Sequence, residues 1–182
     1  KFITPTGYTL TNVNVGADGT DSDAGIGGLT GCYNLESNET DSTVDAGLVP
    51  LASLGDKVFE DKDGDGQQDA GENGISGATV RLYTCVNNAA GVFVAQTTTD
   101  GLGNYTFNNL LPGEYIVEFL TPGGYTRTTV DFGNDTTDSD ATANLGPNGG
   151  SLTGCYNLTP GENDTTVDAG FYRAAALGDR VW

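Results

Sequence analysis

An all-β fold of the two-sheet sandwich class, strung as tandem repeats, is what this sequence predicts. Three observations carry that expectation. Short runs of alternating apolar and polar residues recur roughly every 8 to 15 residues between Gly, Asp and Asn turns. No segment keeps a 3.6-residue apolar period, so no amphipathic helix is expected. The third is internal repetition: LTGCYNL at Leu29 returns at Leu152, and DSTVDAG at Asp41 returns as DTTVDAG at Asp164.

Within one complete unit the strands are read in order. Leu54 to Phe59 is the first, short and rich in β formers. Ala78 to Val86 is the second, where Val80, Leu82 and Thr84 alternate with Arg81 and Tyr83, so that one face is apolar. Phe93 to Thr98 is the third, reached through the polar turn NNAAG. Asn104 to Phe107 follows the turn signal TDGLG, and Glu114 to Leu120 ends at TPGGY. Tyr125 to Phe132, a segment near Leu152 to Leu158, and Thr166 to Tyr172 complete the unit. A domain of this length buries a real core, expected from Val58, Val80, Leu82, Tyr105, Phe107, Tyr115, Val117, Val130 and Val167.

The repeat also sets the domain organisation. KFITPTGYTLTNVNVG at Lys1 returns as EFLTPGGYTRTTVDFG at Glu118; Cys32 maps to Cys155 and Leu54 to Leu177, a spacing of 123 residues. Upstream of Leu29 the register slips by six, because the second copy carries the longer loop ATANLGPNGG. Residues 1–53 therefore read as the C-terminal part of a preceding unit, 54–176 as a complete unit, and 177–182 as the first strand of a following one. Such a period is too long for a solenoid, and each unit reads as a whole domain in a string.

Charge excludes some functions. With 25 acidic against 7 basic residues and no histidine, the net charge is −18. Nucleic-acid phosphates would be repelled, and the chain repels itself unless cations are bound. An acidic, Thr-rich β protein of this kind suggests an extracellular setting. No apolar run approaches the length of a membrane span, so no membrane contact is expected in this segment. Five Asn-x-Ser/Thr sequons, at Asn38, Asn104, Asn134, Asn157 and Asn163, are weak signals in a chain so rich in Asn and Thr.

The sharpest local signal is DKDGDGQQDAGE. Asp61, Asp63, Asp65, Asp69 and Glu72 stand at positions 1, 3, 5, 9 and 12, Gly66 at the turn position 6, and Gln67 at position 7, where a backbone carbonyl is used. This is the ligand spacing of an EF-hand calcium (Ca2+) loop, yet neither flank reads as a helix. The expectation is a calcium site grafted on β structure, against the plainer reading of a solvated acidic turn. A second acidic loop holds Asp135, Asp138 and Asp140, with Asp164 placed to close on it. It lacks the positional code of the first, and a second calcium site competes there with a solvated loop.

Of the three cysteines, Cys85 and Cys155 fall within one unit and can pair, the alternative being two buried thiols. Cys32 would then pair with the equivalent of Cys85 in the preceding unit.

The succession LGDKVFEDKDGDGQQDAGENGISGATVRLYT, TTTDGLGNYTFNNLLPGEYIVEFLTPGGY and TVDAGFY resembles the B-type repeat domain of serine-aspartate repeat surface proteins, relatives of the collagen-adhesin B-type domain. The resemblance implies a prealbumin-like or immunoglobulin-like sandwich that binds several calcium ions and serves as a rod segment on bacterial surfaces. A cysteine pair is not a usual part of that pattern. In the collagen-adhesin relatives a lysine on the first strand condenses with an Asp or Asn on the last, assisted by a buried glutamate. Lys57, Asp168 and Glu118 occupy similar places, although the neighbouring units carry Lys1 at the glutamate position and Arg180 at the lysine position. The default reading of the three is surface charge.

Three functional classes compete. A calcium-stiffened structural module, partnered by neighbouring repeats and by lateral self-association, is favoured by the charge and by the short linkers VPLAS and YRAAA. An adhesin module gripping a protein or carbohydrate is the alternative, but no binding face is marked. An enzyme is disfavoured, since there is no histidine, nucleophile elbow or zinc set.

Overall fold

Alternation in the sequence becomes strand wherever a facing sheet can cover the apolar side. The computed structural model describes residues 1–130, 133–175 and 178. In chain order the strands are β1 (Tyr8–Leu10), β2 (Leu48–Pro50), β3 (Ala52–Glu60), β4 (Thr79–Val86), β5 (Ala89–Thr98) and β6 (Asn104–Leu110). They continue with β7 (Gly113–Phe119), β8 (Thr126–Arg127), β9 (Ser151–Leu158), β10 (Asn163–Asp164) and β11 (Ala169–Tyr172). One short 3-10 turn, Ile26–Gly28, accompanies them.

Two sheets form the sandwich. One runs β5-β4-β7-β9, all antiparallel. The other centres on β3, which pairs antiparallel with β6 and, on its other side, parallel with β10 and then β11; β8 closes antiparallel on β11. Between the sheets lie Leu54, Val58, Val80, Leu82, Tyr105, Phe107, Tyr115, Val117, Phe119, Val167 and Phe171, all buried. Each such side chain contributes about 1.5–3 kcal/mol relative to exposure. Tyr105 packs edge-on to Phe107 and Phe119, and its hydroxyl donates to the Val167 carbonyl at 2.7 Å, so the core's polar atom is satisfied.

Several expected boundaries move for local reasons. The third strand begins at Ala89 rather than Phe93, because the turn tightens to Asn87–Asn88, both at positive φ (53° and 58°), as a two-residue hairpin requires. The strand expected from Tyr125 shrinks to Thr126–Arg127; beyond it the Thr128 N–H still bonds the Gly170 carbonyl at 3.1 Å while its hydroxyl turns to Asp61. Val130, expected in the core, is only half-buried. The last strand starts at Ala169, since Thr166 is held by the Asp164 carboxylate and the Asp168 N–H by Asp140. The expected strand end at Phe132, and residues 177 and 179–182 assigned to a following unit, lie outside the described residues.

On the outer face of the β4-β7-β9 sheet a second cluster joins Tyr83, Cys85, Ile116 and Leu152. There Cys85 and Cys155 form a disulfide, with Cα atoms 5.9 Å apart and a sequence separation of 70. It ties β4 to β9 across the strand that separates them. Cys32 is free and exposed. Replacing Cys85 and Cys155 together with Ala is expected to lower unfolding free energy by about 2–4 kcal/mol. Urea titration of both forms measures this, and coincident curves would show that the bond constrains nothing that the sheet does not already hold.

Candidate metal centre

β3 leaves its sheet at Glu60, and the next residue turns its carboxylate inward. Asp61 is fully buried, where an unbonded carboxylate would be strongly unfavourable. Its Oδ1 accepts the Gly64 N–H at 2.6 Å, and its Oδ2 accepts the Gly66 N–H at 2.8 Å and the Thr128 hydroxyl. Burial pushes this carboxyl up, but the bonds from Thr128, Gly66 and Gly64 outweigh it and hold the group below its ordinary value. Asp61 is therefore an anion. Gly66 makes the turn possible: its φ is +93°, and a Cβ there would stand 2.8 Å from the Thr129 carbonyl.

The next turns present the other ligand candidates. Asp63 accepts from the Asp65 N–H at 3.4 Å, and Asp65 from the Gln67 N–H at 2.8 Å. Oxygens of Asp61, Asp63 and Asp65 lie within 4.8 Å of one another. The Glu72 carboxylate closes the loop on itself, accepting from the N–H groups of Lys62 at 2.5 Å and Asp69 at 3.1 Å. Glu72 and Asp69 thus shape the loop around the three clustered carboxylates.

The second acidic loop is stitched to the first. The Ser139 N–H donates to the Gly66 carbonyl at 3.0 Å and the Gln68 N–H to the Thr137 carbonyl at 2.7 Å, which sets Gln67 opposite Asp138. Oxygens of Asp135, Asp138 and Asp140 again fall within 4.8 Å of one another. Asp164 does not join them; it sits on β10 against Leu54 and bonds the N–H and hydroxyl of Thr166. Both triads offer hard carboxylate oxygens, a donor set that fits a hard divalent cation better than a transition metal.

Beneath the second triad the acids go deeper. Asp140 accepts the Asp168 N–H at 2.7 Å, and its own N–H returns to the Asp168 carbonyl at 3.0 Å. Burial raises Asp140 to about 7, despite bonds from the Asp168 N–H and the Tyr156 hydroxyl. Burial, reinforced by the Asp56 charge, raises Asp168 to about 9. Asp168 Oδ1 accepts the Lys57 N–H at 3.0 Å, while Oδ2 is buried without a hydrogen-bond partner.

Of the trio Lys57, Asp168 and Glu118, the fold brings Lys57 and Asp168 side by side, through the Lys57 main chain, but keeps Glu118 away from both. Val117 and Phe119 face the main core, so Glu118 and Ile116 face the other side of β7. There the Glu118 carboxylate accepts from the Tyr83 hydroxyl at 2.9 Å, the Asn148 N–H and amide at 2.8 and 2.9 Å, and the Gly150 N–H at 3.1 Å. It holds down the six-residue insertion that only the second sequence copy carries, and Lys1 stands at its position in the copy without the insertion.

The contacts around the second triad appear twice. Asp45 N–H to Asp23 and Gly47 N–H to the Ser22 hydroxyl match Asp168 to Asp140 and Gly170 to Ser139. Thr9 pairs Val49 in β1–β2 as Thr126 pairs Tyr172 in β8–β11. Sequence reading missed Thr128, Ser139 and Tyr156; the recurrence of Thr11, Ser22 and Tyr33 at matching positions was the available signal for all three.

Metal-free stability should respond to pH through the buried acids. In the unfolded chain Asp140 and Asp168 release their protons near pH 4, whereas folded they hold them to about 7 and about 9. Between those limits the folded state binds more protons, so stability falls as pH rises. Asp61 acts in the opposite sense, and only in the acid range below its ordinary value. Urea unfolding in chelator is expected to give a lower midpoint at pH 8 than at pH 5; the reverse order would mean that both acids are ionised in the fold.

The SdrD B-like domain family matches residues 52–171. Serine-aspartate repeat-containing protein D of Staphylococcus aureus (strain MW2) is 39% identical over 186 residues, covering 100% of this chain and 12% of that protein. Serine-aspartate repeat-containing protein E of S. aureus (strain USA300) is also 39% identical, with 100% and 14% covered. The chain thus spans about an eighth of the length of these relatives. Among solved structures, the minor pilin GBS52 of Streptococcus agalactiae is similar at TM-score 0.42 and 13% identity, covering 81% of this chain and 61% of that one. The shaft pilin SpaA of Lactobacillus rhamnosus GG is similar at TM-score 0.39 and 13% identity, covering 70% and 50%. With its match spanning most of the chain and the complete sandwich, this protein belongs to the SdrD B-like domain family.

Proposed function

We propose that this chain is a calcium-binding structural module of an extracellular bacterial surface fibre or stalk, one of several tandem units that calcium stiffens. The observation that carries the reading is the pair of carboxylate triads on two loops stitched by main-chain bonds, in a chain of net charge −18. Six carboxylates so placed repel one another unless cations neutralise them. Calcium is the preferred cation because the first triad keeps the spacing of a calcium loop, with oxygen donors throughout.

Position turns binding into stiffness. Lys62, Asp63 and Gly64 line one groove with Tyr172, Arg173 and Ala175, where the chain leaves the sandwich. A cation at Asp63 therefore neighbours the exit linker. At the entry end there is almost no linker: β2 ends at Pro50 and β3 begins at Ala52. The Leu51 N–H bonds Gly7 and the Ser53 N–H bonds Glu162, both at 2.8 Å, and Gly161 lies against Pro50. A junction hydrogen-bonded on both sides resists bending, which suits a rod.

Calcium at a hundredfold excess over its dissociation constant stabilises by about 2.7 kcal/mol per site. The melting temperature is expected to rise with calcium, to fall in chelator, and to lose most of its calcium response in the Asp61→Asn, Asp63→Asn double variant. Scattering profiles should extend on calcium addition. A melting curve and profile indifferent to both calcium and chelator would refute the proposal.

A further inference from the structure

Residues 8–50 repeat one edge of the sandwich and leave its far side open. Among the described residues β1 and β2 pair only with each other, in the register that joins β8 to β11: Leu10 faces Leu48 as Arg127 faces Phe171. Main-chain bonds recur with them. The Thr11 N–H reaches the Gly47 carbonyl at 3.0 Å as Thr128 reaches Gly170 at 3.1 Å, and Thr43 bonds the Asp41 carboxylate as Thr166 bonds Asp164. Burial does not recur. Val167, Ala169 and Phe171 are fully buried, whereas their counterparts Val44 and Ala46 are half-buried and Leu48 is 38% exposed.

One neighbour makes the difference. In the complete unit β11 lies parallel to β3, Gly170 beside Phe59, and the Phe171 carbonyl accepts the Asp61 N–H at 3.0 Å. Along the matching stretch leading into β2 runs a groove of about 580 Å³ lined by Thr11, Thr20, Asp21, Ser22, Asp45 and Gly47. Each has a counterpart in the complete unit, and every counterpart touches β3 or the loop that follows it. The Thr128 hydroxyl donates to Asp61, and the Thr137 carbonyl accepts the Gln68 N–H at 2.7 Å. Asp138 lies opposite Gln67, the Ser139 N–H donates to the Gly66 carbonyl, and Asp168 accepts the Lys57 N–H. A Cβ on Gly170 would stand 2.8 Å from the Phe59 ring, and Gly47 keeps that position free of a side chain. Beside the groove, Asp21 Oδ1 is buried with no hydrogen-bond partner.

We propose that this groove seats the opening strand and acidic loop of another unit of the same family, a segment of the Leu54–Gln68 class added along the free edge. The second sequence copy shows what covers this surface, residue by residue. Strand addition supplies affinity through main-chain bonds and specificity through alternate side chains. The exposed Thr11 repeats the hydroxyl that an Asp61-type carboxylate requires when it leaves water. β3 of this chain is already held by β6, β10 and β11, so the occupant is a separate segment. Like charges oppose its entry, yet the complete unit seats the same acidic loop against Asp138 and Ser139.

Fluorescence anisotropy of a labelled peptide with the Leu54–Gln68 sequence, titrated with the full chain, tests the seat. An ionic strength of about 0.5 M screens the like charges. Saturable binding is expected, weakened about tenfold or more by Asp61→Ala in the peptide and by Thr11→Val in the chain, since each removes one end of the same charge-assisted bond. Hydrogen exchange should show the peptide protecting residues 44–48 and leaving 79–119 unchanged. Titrations in calcium and in chelator separate the seat from the calcium reading, on which it does not rest, and binding in either medium upholds it. No binding in both up to about 1 mM, an affinity that either substitution leaves unchanged, or protection confined to residues 52–172 overturns it.

Discussion

The buried carboxylate of Asp61 is the constraint around which the acidic end of the sandwich is organised. An anion with no exposed surface must have every bond supplied by the fold. Those bonds close a circuit. Asp61 takes the Gly66 N–H, the Gly66 carbonyl takes the Ser139 N–H, the Ser139 hydroxyl takes the Gly170 N–H, and the Asp61 N–H returns to Phe171 beside Gly170. Loop, second loop and last strand are thereby held to one another.

That circuit explains why acids concentrate where they do. Asp61 stays ionised because dipoles surround it, whereas Asp140 and Asp168 are raised because burial is not matched by donors. The same end of the molecule therefore holds one anion stabilised by the backbone and two acids that favour their protons. Repulsion among them is opposed by the hydrophobic core beneath, where Leu54, Val58 and Phe171 are fully buried on the strands that deliver the loops.

Glu118 shows how a motif position can be put to another use. Strand parity turns it away from Lys57 and Asp168 and onto the outer face, where four donors reach it. Its pKa is lowered: burial opposes ionisation, and the bonds from Asn148, Tyr83 and Gly150 outweigh it. The outcome is a staple for the 142–150 loop beside the disulfide-bearing cluster. On the same sheet β5 breaks alternation in a different way, through bulges that Thr84 and Gly91 make possible.

Much of this was legible in the chain itself, because strand alternation, turn glycines and loop spacing are local properties. The all-β class and the strands around Leu82 and Val117 follow from periodicity, and the clustering of Asp61, Asp63 and Asp65 from loop spacing; repetition put Cys85 and Cys155 in one unit, and the fold decided for a disulfide over two buried thiols. What lay beyond reach depends on which residues meet across long separations. Thr128 reaching Asp61, Ser139 bridging two loops, Asp164 turning to Thr166 instead of the second triad, and Glu118 facing outward are settled by packing two sheets together. Local sequence sets which side of a strand a residue can take; only the stacking of the sheets decides what waits on that side.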